Sequence, residues 1–280
     1  MAKPRLALVV GSGSVKCAAA LGLWKVLERE NIPIDMMVGC SGGSIYTTTM
    51  ALGFSLDECV DYTKKLWNKS VTEQRNWPAL MSILFPKIFK FSHKFGMVSD
   101  KRVMENFNKV FGDKTFADTK TPLTIVATDF YTGEQVHLNS GRLSDAIRAS
   151  IAIPFIWSAH DIDGHSLIDG SASNPLPVDV AIKEGADVIL AMGFQAPLPS
   201  KVRSISRYAF HVNGVMTNNL YQSNFSFHNA VHHSEIIPIF PEFERSIRLF
   251  DTDQIPYVIE QGEKAAEEQI PYIKKLLSIQ

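Results

Sequence analysis

The stretch Met36-Met37-Val38-Gly39-Cys40-Ser41-Gly42-Gly43-Ser44 decides the fold. A short apolar run entering a G-x-S-x-G turn predicts a buried strand that reverses sharply into a helix, which Gly53 closes. Such a turn forces its serine into a strained backbone conformation, and side chains two residues to either side would collide. Glycines at Gly39 and Gly43 relieve that clash, and Gly42 opens the following helix, whose first N–H groups face any negative charge developing beside the serine. Ser41 is therefore the candidate nucleophile. The same letters also fit an ordinary glycine-rich turn; the strand-turn-helix context favours the nucleophile. The Cys40 side chain should leave the turn on the other side and reads as packing.

Upstream, Leu6–Val10 predicts a second buried strand, followed by Gly11-Ser12-Gly13-Ser14-Val15-Lys16 and a helix from about Cys17 to Glu30 with Ala19, Leu23, Val26 and Leu27 on its apolar face. Three readings compete for this glycine loop. A dinucleotide site wants a glycine where Lys16 stands and an acid at the end of the second strand, whereas Asp35 lies at its beginning. A P-loop wants Gly-Lys-Ser/Thr, which is absent. The preferred reading is an oxyanion hole, with backbone N–H groups of a loop at the carboxyl end of a neighbouring strand facing Ser41.

A serine hydroxyl needs a base. Of eight histidines, His228, His232 and His233 come late enough in the chain for an ordinary triad, but they run into the apolar strand Ile236–Ile239 and read better as solvated or partner-satisfied. Two Asp-Gly pairs offer another route. Asp163-Gly164 sits where a two-residue hairpin turn belongs. Asp169-Gly170 follows a strand and precedes the small residues Ser171-Ala172-Ser173, so its carboxylate could act as base, or simply cap its own turn.

The remaining pattern alternates. Strands are expected at Thr124–Ala127, Leu167–Ile168, Val188–Met192 and Ile236–Ile239, and helices after the capping box Ser55-Leu56-Asp57-Glu58, over Leu143–Ala149, over Val178–Lys183, and from near Tyr257 to Leu277 with a break at Pro271. Strands separated by helices argue for a parallel sheet covered on both faces. The chain has 280 residues, 45% hydrophobic and 20% charged, enough for a sizeable core in a single domain. With 28 basic against 29 acidic residues, nothing in the global charge draws it to nucleic acid. Cys17, Cys40 and Cys59 form neither a disulfide framework nor a CxxC metal pair, which fits a reducing, cytoplasmic setting, and no signal or spanning segment is read.

One stretch departs from the alternation. Gln74–Ser99 has no acidic residue but carries Arg75, Lys87, Lys90 and Lys94 among Trp77, Phe85, Phe89, Phe91 and Phe95, broken by Pro78 and Pro86. It reads as a cap or lid-like insertion over about 70–99, either packed on the sheet or making peripheral contact with a membrane surface.

Together these residues resemble the bacterial patatin-like phospholipases. The resemblance rests on Gly13-Ser14-Val15-Lys16, Gly39-Cys40-Ser41-Gly42-Gly43, Ala127-Thr128-Asp129 with Thr132-Gly133-Glu134, Arg148-Ala149-Ser150 with Ile153-Pro154, and Asp169-Gly170 with Asn174-Pro175-Leu176-Pro177-Val178-Asp179. It implies a three-layer α/β/α fold around a mostly parallel sheet and a lipid or ester substrate. It also implies a Ser41–Asp169 dyad without a catalytic histidine, needing neither metal nor cofactor. The implied activities are phospholipase A, lysophospholipase or carboxylesterase; a lipid- or partner-binding member that has lost activity, acyl transfer to an acceptor other than water, and nucleotide binding are the alternatives. Ser12, Gly13, Ser14 and Gly42 would supply oxyanion or substrate contacts, supported by Gly11, Lys16, Gly39, Gly43 and Gly170. The family usually carries a glycine triplet where Ser12-Gly13-Ser14 stands, and a glycine where Cys17 stands. Serine keeps its N–H, but a positive φ costs it about 1–2 kcal/mol. The loop is therefore expected to sit differently, leaving the oxyanion hole incomplete or weakened.

Overall fold

The computed structural model describes residues 3–67, 71, 73–85, 87–88, 92–196, 198, 201–203 and 205–279. β1 (Leu6–Val10) passes through a 3-10 turn, Ser14–Ala18, into α1 (Ala19–Arg29). β2 (Met36–Cys40) reverses at Ser41 into α2 (Gly42–Ala51), and Gly53 with φ of 72° ends that helix. α3 (Leu56–Leu66) opens on the expected capping box, in which the Ser55 hydroxyl accepts from the Glu58 N–H and the Glu58 carboxylate accepts from the Ser55 N–H. α4 (Trp77–Leu84), α5 (Lys101–Phe111), β3 (Leu123–Asp129), β4 (Gln135–Leu138) and α6 (Leu143–Ser150) follow.

β5 (His160–Ile162) and β6 (His165–Asp169) form a hairpin whose two turn residues, Asp163 and Gly164, both have positive φ (50° and 85°), as a type I′ turn requires. The chain continues through α7 (Val178–Lys183), β7 (Val188–Met192), α8 (Ile205–Val231), β8 (Glu235–Ile239), α9 (Ile255–Glu267) and α10 (Ile270–Leu277). The expected last helix is thus two helices. Pro271 sits in the first turn of α10, where its missing N–H leaves no helical bond unmade.

The strands pair in the order β5-β6-β3-β2-β1-β7-β8, with β4 also on β3. β3, β2, β1, β7 and β8 are mutually parallel, while β4, β5 and β6 pair antiparallel. Alternate strand residues face two cores. Leu6, Leu8 and Val10 meet α1, α2 and α9 on one face, and Ala7, Val9, Met36, Val38 and Cys40 meet α7 and Tyr221 of α8 on the other. This gives three layers, α/β/α.

The register around β3 positions the site. Ala127 pairs with Val136 of β4 on one side and with Asp169 of β6 on the other. Val126 pairs with His137 of β4 and with Cys40 of β2. β2 and β6 therefore lie along the same side of β3, run toward each other, and end at adjacent rungs. β2 leads directly to Ser41, and β6 ends on Asp169 itself.

The segment between α3 and α5 is tied down at its far end. Met97 N–H donates to Phe155 O (3.0 Å) and Val98 N–H to Ile156 O (2.9 Å), while Arg75 pairs with Val98. Behind it, the wholly buried Arg148 of α6 reaches the Asp100 carboxylate (2.7 Å) and donates to Ser158 O (2.9 Å). Phe89, Lys90, Phe91 and Pro86 of the expected lid lie outside the described residues.

Candidate active site

Ser41 has φ of 53°, the strained conformation that the turn was expected to impose. The crowding around it explains the glycines. A Cβ on Gly39 would come within 2.2 Å of the Thr47 hydroxyl, and one on Gly43 within 2.2 Å of Val10 O. No side chain fits either position.

The Ser41 hydroxyl donates to Asp169 Oδ2 at 2.7 Å, and both residues are buried. The other carboxylate oxygen, Oδ1, accepts from the Ser171 N–H at 2.9 Å. Asp169 thus caps its own turn with one oxygen and accepts from the serine with the other, so the cap leaves an oxygen available for the role of candidate base. Burial pushes its carboxyl up from 3.8 to about 6, against the opposing pull of the Ser171 and Ser41 hydrogen bonds. A carboxylate with that value is a better proton acceptor near neutrality than a free aspartate. Gly170 is required for the approach of β6 to β2: its Cβ would lie 2.3 Å from Val126 O and 2.9 Å from Cys40 Sγ. Among the described residues no histidine is hydrogen-bonded to Ser41 or Asp169. His228 instead meets Phe227 edge-on and lies tilted against the His232 ring. Cys40 is fully buried, and burial raises its thiol well above the usual range, so it packs.

Sequence reasoning attached no role to Ser150, which the structure places at the centre of the elbow. Its hydroxyl accepts from the Ser41 N–H (2.8 Å) and donates to Val126 O (2.6 Å), joining α6, β3 and Ser41. The Arg148-Ala149-Ser150 pattern was visible in the sequence, but nothing local indicates which backbone group the serine meets.

The glycine loop after β1 lies on the opposite side of Ser41. A Cβ on Gly42 would be 2.6 Å from Ser14 N and 2.7 Å from Ser14 Cα, so the loop backbone rests on the residue after Ser41. Ser12, expected among the oxyanion donors, gives its N–H to Pro175 O at 2.8 Å, and the Gly11 N–H goes to Met192 O at 2.9 Å. These two amides hold the loop in place, which corrects the expectation for Ser12. The candidates facing substrate are the amides of Gly13, Ser14 and Gly42, the last at the first position of α2, where no intrahelical acceptor exists. Only Ser14 of the two loop serines adopts positive φ, at 55°. The conformational cost of about 1–2 kcal/mol is offset by its hydroxyl, which donates to Leu249 O (2.5 Å) and accepts from Trp67 Nε1 (3.0 Å). Lys16 turns away to donate to Gln195 O (3.0 Å) and lies 5.9 Å over the Phe243 ring. Burial lowers its ammonium below the usual lysine value. Among the described residues no cluster of three or more His, Cys, Asp or Glu side chains could hold a metal ion.

A mostly parallel sheet with helices on both faces and a serine at a strained strand-to-helix turn defines an α/β protein of the nucleophile-elbow type. Residues 8–182 match the patatin-like phospholipase family, and the chain belongs to that family. An uncharacterized NTE family protein of Mycobacterium tuberculosis is 31% identical over 189 residues, covering 68% of this chain and 49% of the relative. The human patatin-like phospholipase domain-containing protein 6 is 29% identical over 189 residues, covering 67% of this chain and 13% of that protein. The chain thus spans about half the length of the mycobacterial relative. VipD from Legionella pneumophila shares the fold, with a TM-score of 0.53 at 13% identity over 99% of this chain and 67% of VipD.

Proposed function

We propose that this chain is a serine hydrolase that cleaves carboxylic esters of lipids through an acyl-enzyme on Ser41, with Asp169 as its general base. The observation that carries the reading is the 2.7 Å hydrogen bond from the Ser41 hydroxyl to a buried carboxylate whose pKa is raised to about 6. Family membership supports a lipid substrate.

In the first half-reaction Ser41 Oγ bonds to the ester carbonyl carbon as its proton passes to Asp169 Oδ2. The carbonyl oxygen becomes an oxyanion facing the amides of Gly13, Ser14 and Gly42. The bond to the alcohol oxygen then breaks, and Asp169 returns the proton to the leaving alcohol. In the second half-reaction water attacks the acyl carbon, gives a proton to Asp169, and displaces Ser41, which recovers its proton as the carboxylic acid departs. Every proton is accounted for by one carboxylate.

The segment from Gln74 to Ser99 supplies the lipid-facing surface in this proposal. Trp77 is 65% and Ile88 74% exposed, with Lys87 exposed beside Ile88, and the segment carries no acidic residue. Aromatic and aliphatic groups next to a cation fit an anionic interface. No helix among the described residues is long and apolar enough to cross a membrane. The three cysteines are free and buried, which supports a reducing compartment such as the cytoplasm, with peripheral membrane contact.

The test is labelling with a fluorescent fluorophosphonate together with hydrolysis of p-nitrophenyl esters and phospholipids. Ser41→Ala is expected to lose both signals. Asp169→Asn should lower turnover by about 10³-fold or more, by analogy with removal of a base from other serine hydrolases. Replacing His228, His232 and His233 together should leave turnover within about twofold. Loss of activity in that triple variant would replace the dyad with a histidine base.

A further inference from the structure

We propose that Ser14 is a positioning residue: its hydroxyl anchors the oxyanion loop to the segment joining β8 and α9, doing through a side chain what a glycine at this place cannot do. The inference rests on the reading of Ser41 and Asp169 as a hydrolytic dyad and adds a residue to its machinery.

Three groups meet at one node. Ser14 Oγ donates to Leu249 O, and Trp67 Nε1 donates both to Ser14 Oγ (3.0 Å) and to Leu249 O (2.7 Å). Trp67, at the end of α3, is 3% exposed and is held between Phe250 (ring centroids 5.2 Å) and Trp157 (5.4 Å). The node therefore has a rigid aromatic wall behind it. Its other side is the backbone of Ser14, which lies against Gly42, the residue after the nucleophile.

The neighbouring residues of the loop are held from the same direction. A Cβ on Gly13 would come 2.5 Å from the Phe194 ring, Phe194 stacks on Phe243, and Lys16 Nζ bonds Gln195 O. Apart from Trp67 and Trp157, these partners (Phe194, Gln195, Phe243, Leu249 and Phe250) lie beyond residue 182, where the family match ends. The part of the chain outside the matched region thus adds to the hold that Pro175 O and Trp67, within it, have on the loop.

The clamp has a catalytic consequence. Amide donors stabilise a developing oxyanion only if they are held in place before charge develops, since reorienting them during the reaction costs the advantage. A glycine at position 14 would adopt the positive φ without strain but would have no side chain to fix it. Ser14 accepts the strained conformation and gains the anchor. The loop is then held in its working position in the free protein.

Ser14→Gly and Ser14→Ala, with Trp67→Phe as a milder variant that keeps the ring and removes the N–H, test this directly. Hydrolysis of a soluble p-nitrophenyl ester gives kcat and KM separately, the rate of fluorophosphonate labelling reports the oxyanion-forming step alone, and amide hydrogen exchange reports the loop without requiring turnover. Thermal midpoints confirm that each variant is folded. The expected result for Ser14→Gly and Ser14→Ala is about a tenfold fall in kcat and in labelling rate, less than removal of an oxyanion donor outright. KM should stay within about twofold and exchange over 13–16 should quicken, with a smaller loss in Trp67→Phe. If Ser14→Gly is as active as wild type or more so, glycine is the better residue here and the positioning role is overturned. Quickened exchange with unchanged kcat would also overturn it, leaving the node purely structural. A wild type that neither labels nor turns over would instead overturn the hydrolytic reading, and unchanged exchange in Ser14→Gly would remove the anchor independently of that.

Discussion

At the scale of single residues, Asp169 carries a cost that can be measured apart from activity. Its carboxyl is held at about 6 in the fold, against 3.8 when free. A group whose folded value lies above its unfolded one binds its proton more tightly when folded. Its contribution to stability is therefore fully present below pH 4 and is lost as pH rises through 6. The displacement corresponds to about 3 kcal/mol. Asp169→Asn should accordingly gain stability relative to wild type between pH 4 and pH 8 by up to that amount, measured by denaturant unfolding; a gap that does not change with pH would remove burial as the cause. In the proposed mechanism the same titration governs the base. kcat/KM for a soluble ester should rise through pH 6 and level off above it, and a profile that rises only near pH 7 or later would point to a different base. Asp169 was legible in the sequence as a strand-end aspartate beside a glycine. Its burial was not, because burial depends on β6 pairing with β3 beside the end of β2.

At the scale of elements, the short apolar strands and glycine turns were legible with nearly their observed bounds. β1 and β7 match residue for residue, and α6 extends the expected helix by one residue. The two strands are buried on both faces, so their hydrophobic runs are unmistakable. α8 was not anticipated. Its inward residues His211, Gly214, Asn218, Tyr221, Phe225 and His228 recur every three or four positions, but half of them are polar. Meanwhile Tyr208, Met216 and Phe227 are more than half exposed (62%, 66% and 60%), which erases the periodicity. α5 was missed although Val103, Phe107 and Phe111 recur at four-residue intervals and are all buried. β4 is only half-buried and short, and leaves a weak pattern. The join between elements yields a prediction as well. Ser150→Ala strands the buried Ser41 N–H and Val126 O without partners. It should cost about 1–3 kcal/mol in unfolding free energy and lower kcat at least tenfold, because the elbow loses its brace. Unchanged kcat in a destabilised variant would confine Ser150 to the fold.

At the scale of the molecule, the cap tests whether this chain works at a lipid surface. Its aromatic residues could have been core. Instead Trp77 and Phe85 are 65% and 49% exposed, together with Ile83 at 57%. Lys94 is paired with Asp161, so Lys87 is the better lysine to alter. Lys87→Glu combined with Trp77→Ser should weaken binding to vesicles containing anionic phospholipid by about tenfold, since charge and apolar insertion both contribute. It should leave hydrolysis of a soluble ester within about twofold. Equal vesicle binding by the variant and the parent would return the cap to a packing role.

The sequence by itself determined where the chain turns sharply and which groups stand at those turns. The glycine at position 39 is forced by crowding from Ser44 and Thr47 a few residues on, and a strand-turn-helix carries its meaning within a few residues. That was enough for the candidate nucleophile, the aspartate and the glycine loop, and, through the ordered set of motifs, for the family. Only the tertiary structure decided how they meet. Two strands running in opposite senses along one side of β3 bring residues 128 positions apart within 2.7 Å of each other. A carbonyl 235 positions away holds Ser14 in its strained conformation. These contacts depend on sheet register and on long-range closure, and no local pattern of residues encodes either one.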